Sequence, residues 1–298
     1  MNRLAALLGD HRPVLLDGAM GTLLQDGGLE DGAPGELWNL ENQAAVRAAH
    51  TAYADAGSRV LTTNTFGGTR PRLDMHGLGD RLAEVNRSAA QIARSVADER
   101  GLLVAGDLGP TGELMAPLGT LGGEDAQALF AEQLAGLVAG GIDLVLVETL
   151  SDLAEADAAL AAARAVAPDL PVVVTMSFDT NLRTMMGVRP GDAVAHLAAA
   201  GADAVGANCG RGPEEMEFIA AEMVAARPDG VLLVAQSNAG LPQVVGDHFE
   251  YDASAADMAA HATRLAGLGI DLVGGCCGST PGHVAAMAGV LARADAPR

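Results

Sequence analysis

Leu268-Gly269-Ile270-Asp271-Leu272-Val273-Gly274-Gly275-Cys276-Cys277-Gly278 runs, in a single stretch, through a helix ending, a short lead, an apolar strand and a glycine-flanked cysteine pair. Glycine just after a helix takes the left-handed conformation that closes it without a Cβ clash. The same glycine-to-strand lead recurs as Ala56-Gly57-Ser58-Arg59-Val60, Gly140-Gly141-Ile142-Asp143-Leu144 and Ala200-Gly201-Ala202-Asp203-Ala204. An echo of this kind marks one structural unit used several times.

Outward from these leads, eight short apolar runs can be marked: Val14–Leu16, Val60–Thr63, Leu102–Ala105, Leu144–Val147, Val172–Met176, Ala204–Ala207, Val231–Ala235 and Leu272–Val273. They are nearly continuous in Val, Leu and Ala, as strands covered on both faces are. A turn and a helix-period segment follow each one, so strand and helix alternate eight times. The pattern predicts an α/β fold, a single-domain (β/α)8 TIM barrel over residues 1–298, with the echoes preceding the even-numbered strands. The glycine-rich stretch from Asp26 to Gly35 is expected as a loop over the barrel mouth.

At 298 residues, with 49% hydrophobic content and 38 glycines, the chain has the size of such a barrel. Its net charge of −20 argues against a nucleic-acid partner, because phosphate backbones select basic surfaces. No run has the length of a membrane-spanning helix, and the segment before Asp10 is too short and too weakly charged for a signal peptide. A cytoplasmic protein is expected, in which cysteines are thiols or metal ligands rather than disulfides.

In a barrel, chemistry gathers where strands pass into βα loops. Those positions carry Asp17, Asn64, Asp107, Glu148, Ser177, Cys209, Asn238 and the pair Cys276–Cys277. All three cysteines of the chain are therefore at strand ends. Cys209, Cys276 and Cys277 suit zinc, with one coordination position left open, the pattern of a catalytic rather than a structural site. A lone cysteine is more often a small buried hydrophobe; a complete set of three at strand ends favours the metal. A thiol substrate at the open position loses its proton and stays nucleophilic.

Two carboxylates stand beside this set. Asp17, in Leu15-Leu16-Asp17-Gly18-Ala19-Met20-Gly21-Thr22, and Glu148, in Val147-Glu148-Thr149-Leu150, end apolar strands and need a partner, for which a substrate ammonium would serve. Asp17 reads equally as the cap of the following helix. Backbone N–H groups of the loop from Gly18 through Gly21 to Thr22 are placed to meet a substrate carboxylate. Thr280-Pro281 marks a helix start close to the cysteine pair. Arg183 and Arg189 are weaker candidates for orienting an anion, and His50, His196 and His261 read as packing or surface residues.

Six pieces together carry a resemblance: Asp17-Gly18-Ala19-Met20-Gly21-Thr22, Thr63-Asn64-Thr65-Phe66, Gly109-Pro110-Thr111-Gly112, Glu148-Thr149, Gly206-Ala207-Asn208-Cys209 and Gly274-Gly275-Cys276-Cys277-Gly278. The chain resembles the zinc-dependent homocysteine S-methyltransferase family, which includes betaine–homocysteine methyltransferases and the homocysteine-binding module of cobalamin-dependent methionine synthase. The resemblance implies zinc on Cys209, Cys276 and Cys277, homocysteine bound through sulfur with its ammonium near Asp17 and Glu148, and methionine as product. Small-molecule substrates are implied: homocysteine and a methyl donor. The stretches Thr175–Gly187 and Glu36–Asn39 look like bacterial betaine-type sequences, which implies glycine betaine or a similar onium donor with Trp38 and Phe66 in its pocket. Gly67 and Thr149 stand where animal betaine enzymes carry tyrosines, so a methylcorrinoid protein supplying the methyl group in trans is the alternative. The S-methylmethionine-using type fits less well, lacking here its loop after the third strand.

Overall fold

The computed structural model describes residues 2–9, 13–30, 32–245 and 248–294. The expected runs form strands β1 (Val14–Leu15), β2 (Val60–Thr62), β3 (Leu103–Leu108), β4 (Leu144–Leu150), β5 (Val172–Met176), β6 (Ala204–Cys209) and β7 (Leu232–Ser237). An unexpected hairpin follows, β8 (Gln243–Val245) against β9 (His248–Glu250), and then β10 (Leu272–Gly275). Apart from the hairpin the strands make one sheet in the order β1-β10-β7-β6-β5-β4-β3-β2, parallel at every pair of neighbours in that order. Its two edges meet where the Arg59 N–H donates to the Leu15 carbonyl at 2.8 Å. The result is a nearly closed eight-stranded barrel wrapped by helices, the fold the alternation predicted.

Three of the four repeated leads carry an aspartate, and that residue explains the echo. Asp143, Asp203 and Asp271 each accept the N–H at the foot of the neighbouring strand, from Val104 at 2.8 Å, Val172 at 2.9 Å and Leu233 at 2.9 Å. Each is also paired with an arginine, Arg94, Arg164 and Arg227 respectively. Gly57, Gly141, Gly201 and Gly269 all have left-handed φ, as the leads require. The repeated unit is thus a helix stop joined to a side-chain cap for the sheet's lower rim.

Two apolar layers hold the barrel. Outside the sheet, Val145, Val147, Val172, Val174, Val205 and Leu233 pack on the helices. Inside it, Val14, Leu16, Val60, Ala105, Leu144, Leu146, Val173, Ala204, Leu232, Val234 and Leu272 form the plug. The short helix Arg3–Leu8 closes the lower end, adding Leu4 and Leu8 to the plug. Asn2 caps this helix and ties it to the carbonyls of Asp203 and Gly230.

Strand parity then sets the site. Side chains two residues apart share a face, so the inward row continues upward from Ala105 to Asp107, from Leu146 to Glu148, from Val173 to Thr175, from Val234 to Gln236 and from Leu272 through Gly274 to Cys276. One layer above a dry plug, the barrel interior becomes polar. These same polar residues extend β3, β4, β6 and β7 beyond the apolar runs by which the sequence marked them.

Candidate metal and substrate site

Three backbone devices bring the cysteines together. Cys209 ends β6 with φ +66°, a left-handed conformation that is uncommon for a non-glycine residue and turns its sulfur over the mouth. Cys276 follows β10 directly, its N–H donating to the Ser237 carbonyl at 2.8 Å. Cys277 is held through its carbonyl, which accepts from Ala239 at 2.9 Å. The glycines flanking the pair are forced by close approach: a Cβ on Gly275 would collide with Ser279, and one on Gly278 with the Tyr251 ring.

The Cys209 sulfur lies 3.9 Å from that of Cys277, which lies 4.0 Å from that of Cys276. All three sulfurs fall within 4.8 Å of one another. Ligands at ~2.3 Å from a tetrahedral zinc stand about 3.8 Å apart, whereas a disulfide needs ~2.05 Å. The trio therefore has metal-site spacing and is unbonded. Its protons are shared unequally: S–H donation from Cys276 and then Cys277 pulls the Cys209 thiol far below its usual range. Hydrogen bonding to Cys209 pushes Cys276 and Cys277 above theirs. A dication among the three sulfurs would favour thiolate at all of them. The donor set fits a soft divalent metal.

Acids line the other side of the mouth. Asp17, 2% exposed, does not cap the helix Met20–Asp26, which has no side-chain cap. Its oxygens accept from the Thr62 N–H at 2.6 Å and the Thr62 hydroxyl at 2.7 Å. Burial still raises its pKa to about 6 against those two bonds. Glu148 is half-buried and has no hydrogen-bond partner among the described residues. Burial, then repulsion from Asp17 and Cys209, raises it to about 8. It sits at a break in the β4–β5 ladder between Val147 and Leu150, where Thr149 has φ +62°. A bulge of this kind re-aims side chains at strand ends. Asp107 is buried with Oδ1 unpartnered, and burial followed by repulsion from Glu148 and Glu36 pushes its pKa well up.

The remaining expected residues divide. Gly18 faces Tyr53 and Ser279 so closely that a Cβ would meet both, whereas Gly21 is exposed with open space around it. The expected loop from Gly18 to Thr22 is a loop only as far as Ala19, because Gly21 and Thr22 lie in the first turn of the helix Met20–Asp26; the Thr22 hydroxyl accepts the Gly278 N–H at 3.2 Å, tying that turn to the cysteine loop. The helix expected after Thr280 is present as Pro281–Ala294. Asn64 pins the end of the glycine-rich stretch, donating to the Gly35 carbonyl at 2.8 Å; Asp31 of that stretch lies outside the described residues. Trp38 packs with Leu24, Val46, Ala49 and Ile92 among the helices, while Phe66 is 37% exposed on the β2 loop. Ser177 and Asn238 are buried at strand ends; Asn238 donates to the Gly210 carbonyl at 2.6 Å and its Oδ1 has no partner. Arg183 bonds back to Gly187 within its own loop, and Arg189 pairs with Glu222. His50 and His261 are fully buried, His196 exposed beside Asp157.

Three residues at the site were not visible to sequence reasoning. Glu36 accepts from the Gly67 N–H at 2.6 Å. Tyr251, delivered by the β8–β9 hairpin, lies across Gly278. Asn208, in the quoted Gly206–Cys209 motif but given no task there, contacts β4, β5 and the residue that follows β10. Asn208 and Glu36 had a signal, the first beside a metal-ligand candidate and the second at the head of the quoted Glu36–Asn39 stretch; Tyr251 depends on a chain crossing.

The sequence model of the homocysteine S-methyltransferase family matches residues 14–291. The chain belongs to this family. The expectation of an enzyme is met at that level. Among curated relatives it is similar to the methionine synthases of Mycobacterium leprae, 34% identical over 301 residues, and Mycobacterium tuberculosis, 32% over 303. Each alignment covers 96% of this chain and 25% of the relative, so the chain spans about a quarter of their length. Among solved structures it is similar to the metallated form of the homocysteine methyltransferase MmuM from Escherichia coli. The two are 26% identical with TM-score 0.79, over 98% of this chain and 100% of that one. A methyltransferase from Methanosarcina mazei, 13% identical with TM-score 0.60, shares the fold. No helix among the described residues is long and apolar enough to cross a membrane.

Proposed function

We propose that residues 1–298 form one homocysteine-binding barrel domain that moves a methyl group onto the thiol of homocysteine, giving methionine. The observation that carries this is the juxtaposition of three sulfurs at metal-site spacing with an acid, Glu148, whose carboxylate has no hydrogen-bond partner among the described residues. Cys209, Cys276 and Cys277 would hold zinc. Zinc, when bound, supplies Lewis-acid activation that keeps a substrate thiol deprotonated near neutral pH. Asp17 and Glu148 take the substrate ammonium, whose charge returns both carboxyls toward ionisation. Gly18 and the first helical turn with Gly21 and Thr22 present the N–H groups that meet the carboxylate. Held in this way, the sulfur attacks the methyl carbon in line; the S–C bond forms as the donor's C–N or C–S bond breaks, its electron pair leaving with the departing heteroatom. Thiols that must stay reduced suit a cytoplasmic location.

The donor is glycine betaine or a similar onium compound, favoured by the acidic mouth formed by Asp17, Glu36, Asp107 and Glu148, since none of these is paired with an arginine among the described residues. A second reading, a methylcorrinoid protein supplying the group in trans, is favoured by Trp38. Its ring is engaged in helix packing, which leaves Phe66 as the exposed aromatic of the expected pair, and a quaternary ammonium ordinarily wants a cage. Zinc-loaded protein with homocysteine, offered glycine betaine, sulfonium donors and methylcobalamin in parallel, separates these by the methionine each produces. No methionine from any of the three would sink the proposal.

A further inference from the structure

Asn208 stands at the end of β6, one residue before Cys209, and is 1% exposed. Both polar atoms of its amide are engaged. Oδ1 accepts from the Thr149 N–H at 2.9 Å and the Thr175 hydroxyl at 2.8 Å. Nδ2 donates to the Thr149 hydroxyl at 2.6 Å and approaches the Cys276 sulfur at 3.9 Å. One side chain therefore reaches from β6 across β5 to β4, and back to the residue that follows β10.

What it grips on β4 is the irregular point of the sheet. The β4–β5 ladder breaks at Glu148–Thr149, leaving the Thr149 N–H to be satisfied by Asn208, and Thr149 has φ +62°. That conformation is a genuine outlier for a β-branched residue and persists only where its surroundings hold it. Glu148, the acid without a hydrogen-bond partner among the described residues, is the adjacent residue and turns with it. At its other end the same amide offers an N–H to a sulfur of the trio.

We propose that Asn208 is a positioning residue that, through its amide oxygen, holds Thr149 and with it the adjacent Glu148 carboxylate in the place where the substrate ammonium is seated. Through its N–H it also withdraws electron density from the Cys276 sulfur, which keeps the attacking role with the substrate thiol rather than with the protein's own. The inference rests on the homocysteine reading for its first half; the second half concerns Cys276 alone.

Three variants test it: Asn208→Ala, Asn208→Ala with Thr149→Gly, and Asn208→Asp. Each is loaded with zinc, titrated with homocysteine by calorimetry, and treated with iodoacetamide while mass spectrometry follows Cys276. Asn208→Ala should weaken homocysteine binding by roughly 10- to 100-fold, the range expected when a buried N–H such as that of Thr149 loses its acceptor, and should speed Cys276 alkylation several-fold. Glycine at 149 accepts positive φ unaided, so the double variant should recover binding while alkylation stays fast; a cavity left by a merely structural asparagine would not be mended there. Asn208→Asp keeps the acceptor for Thr149 and Thr175 but loses the donor, so it should bind homocysteine nearly as the parent does and still alkylate faster. It also serves should the alanine variant not fold. Parent-like homocysteine affinity in Asn208→Ala, no recovery with glycine at 149, or a parent-like alkylation rate in Asn208→Asp would each overturn the proposal. If the parent itself binds no homocysteine, the functional reading fails, and the alkylation comparison still decides the role at Cys276.

Discussion

Glu148→Gln in the metal-free protein should remove a large, pH-dependent instability. The unfolded chain ionises this glutamate at its ordinary pKa of 4.5, whereas the folded protein keeps the proton until about pH 8. Between those values the folded state binds more protons than the unfolded one, so stability falls as pH rises through the interval. At 1.36 kcal/mol per pH unit, the span from 4.5 to about 8 sets an upper bound of about 5 kcal/mol. Glu148 is half-buried, and allowing for water at the mouth brings the expected loss to roughly 2–4 kcal/mol. Glutamine keeps the shape and cannot ionise. Urea unfolding of both proteins with a chelator present, at about pH 5 and about pH 9, brackets the window. The variant should gain on the parent by the stated amount at the higher pH and by little at the lower. Zinc added to the parent should narrow the gap, since a nearby dication stabilises the carboxylate. If the two proteins instead keep a constant difference across the range, Glu148 is not held protonated by its surroundings, and the argument that it awaits a cationic partner fails.

Cys276→Ala should lose tightly held zinc and methionine formation together, measured by metal analysis after dialysis and by product assay; an intact equivalent of zinc would show that the trio is not the ligand set. Thr62→Val removes the hydroxyl at 2.7 Å from Asp17 while leaving the backbone N–H. Losing about 1 kcal/mol of hydrogen bonding to the ionised form should move Asp17 from about 6 to about 7, seen as a matching shift in the pH dependence of homocysteine binding. Gly278→Ala must place a methyl group against the Tyr251 ring at φ +74°. About 1–2 kcal/mol from the left-handed backbone and a further loss from the clash are expected in thermal unfolding, and adding Tyr251→Ala should return only the second part.

Much of this architecture could be foreseen because its signals were local. Val172–Met176 matches β5 to the residue, and the glycines at 57, 141, 201 and 269 stop helices where the leads require. The cysteines were legible for the same reason, since each ends an apolar run, although parity turns only Cys276 inward and Cys209 needs its left-handed φ of +66° to face the mouth. Asp17 was ambiguous between helix cap and acid, because the choice depended on Thr62, which is distant in sequence and adjacent in the closed sheet. The polar continuations of β3, β4, β6 and β7 were missed because Asp107, Glu148, Asn208 and Gln236 interrupt the hydrophobic pattern by which strands are recognised. Tyr251 was out of reach, since it arrives through a hairpin whose fold-back onto Gly278 leaves no mark in composition. The aspartates of the repeated leads were noticed as an echo, and only the ladder bonds of Val104, Val172 and Leu233 show why the echo exists.

The switch from oily plug to polar crown inside the barrel has a consequence for how such a protein can be retooled. On the proposed reading, the acids and sulfurs that would hold the methyl acceptor stand within two residues of the hydrogen-bonded staves, where a slip of one position would turn every side chain to the wrong face. The approach for the incoming reagent is bounded instead by the segments between staves and helices, such as those bearing Phe66 and Tyr251, which tolerate lengthening and exchange. Natural variation can therefore change the reagent while leaving the acceptor's seat untouched, and engineering that aims at a new donor should confine itself to those segments.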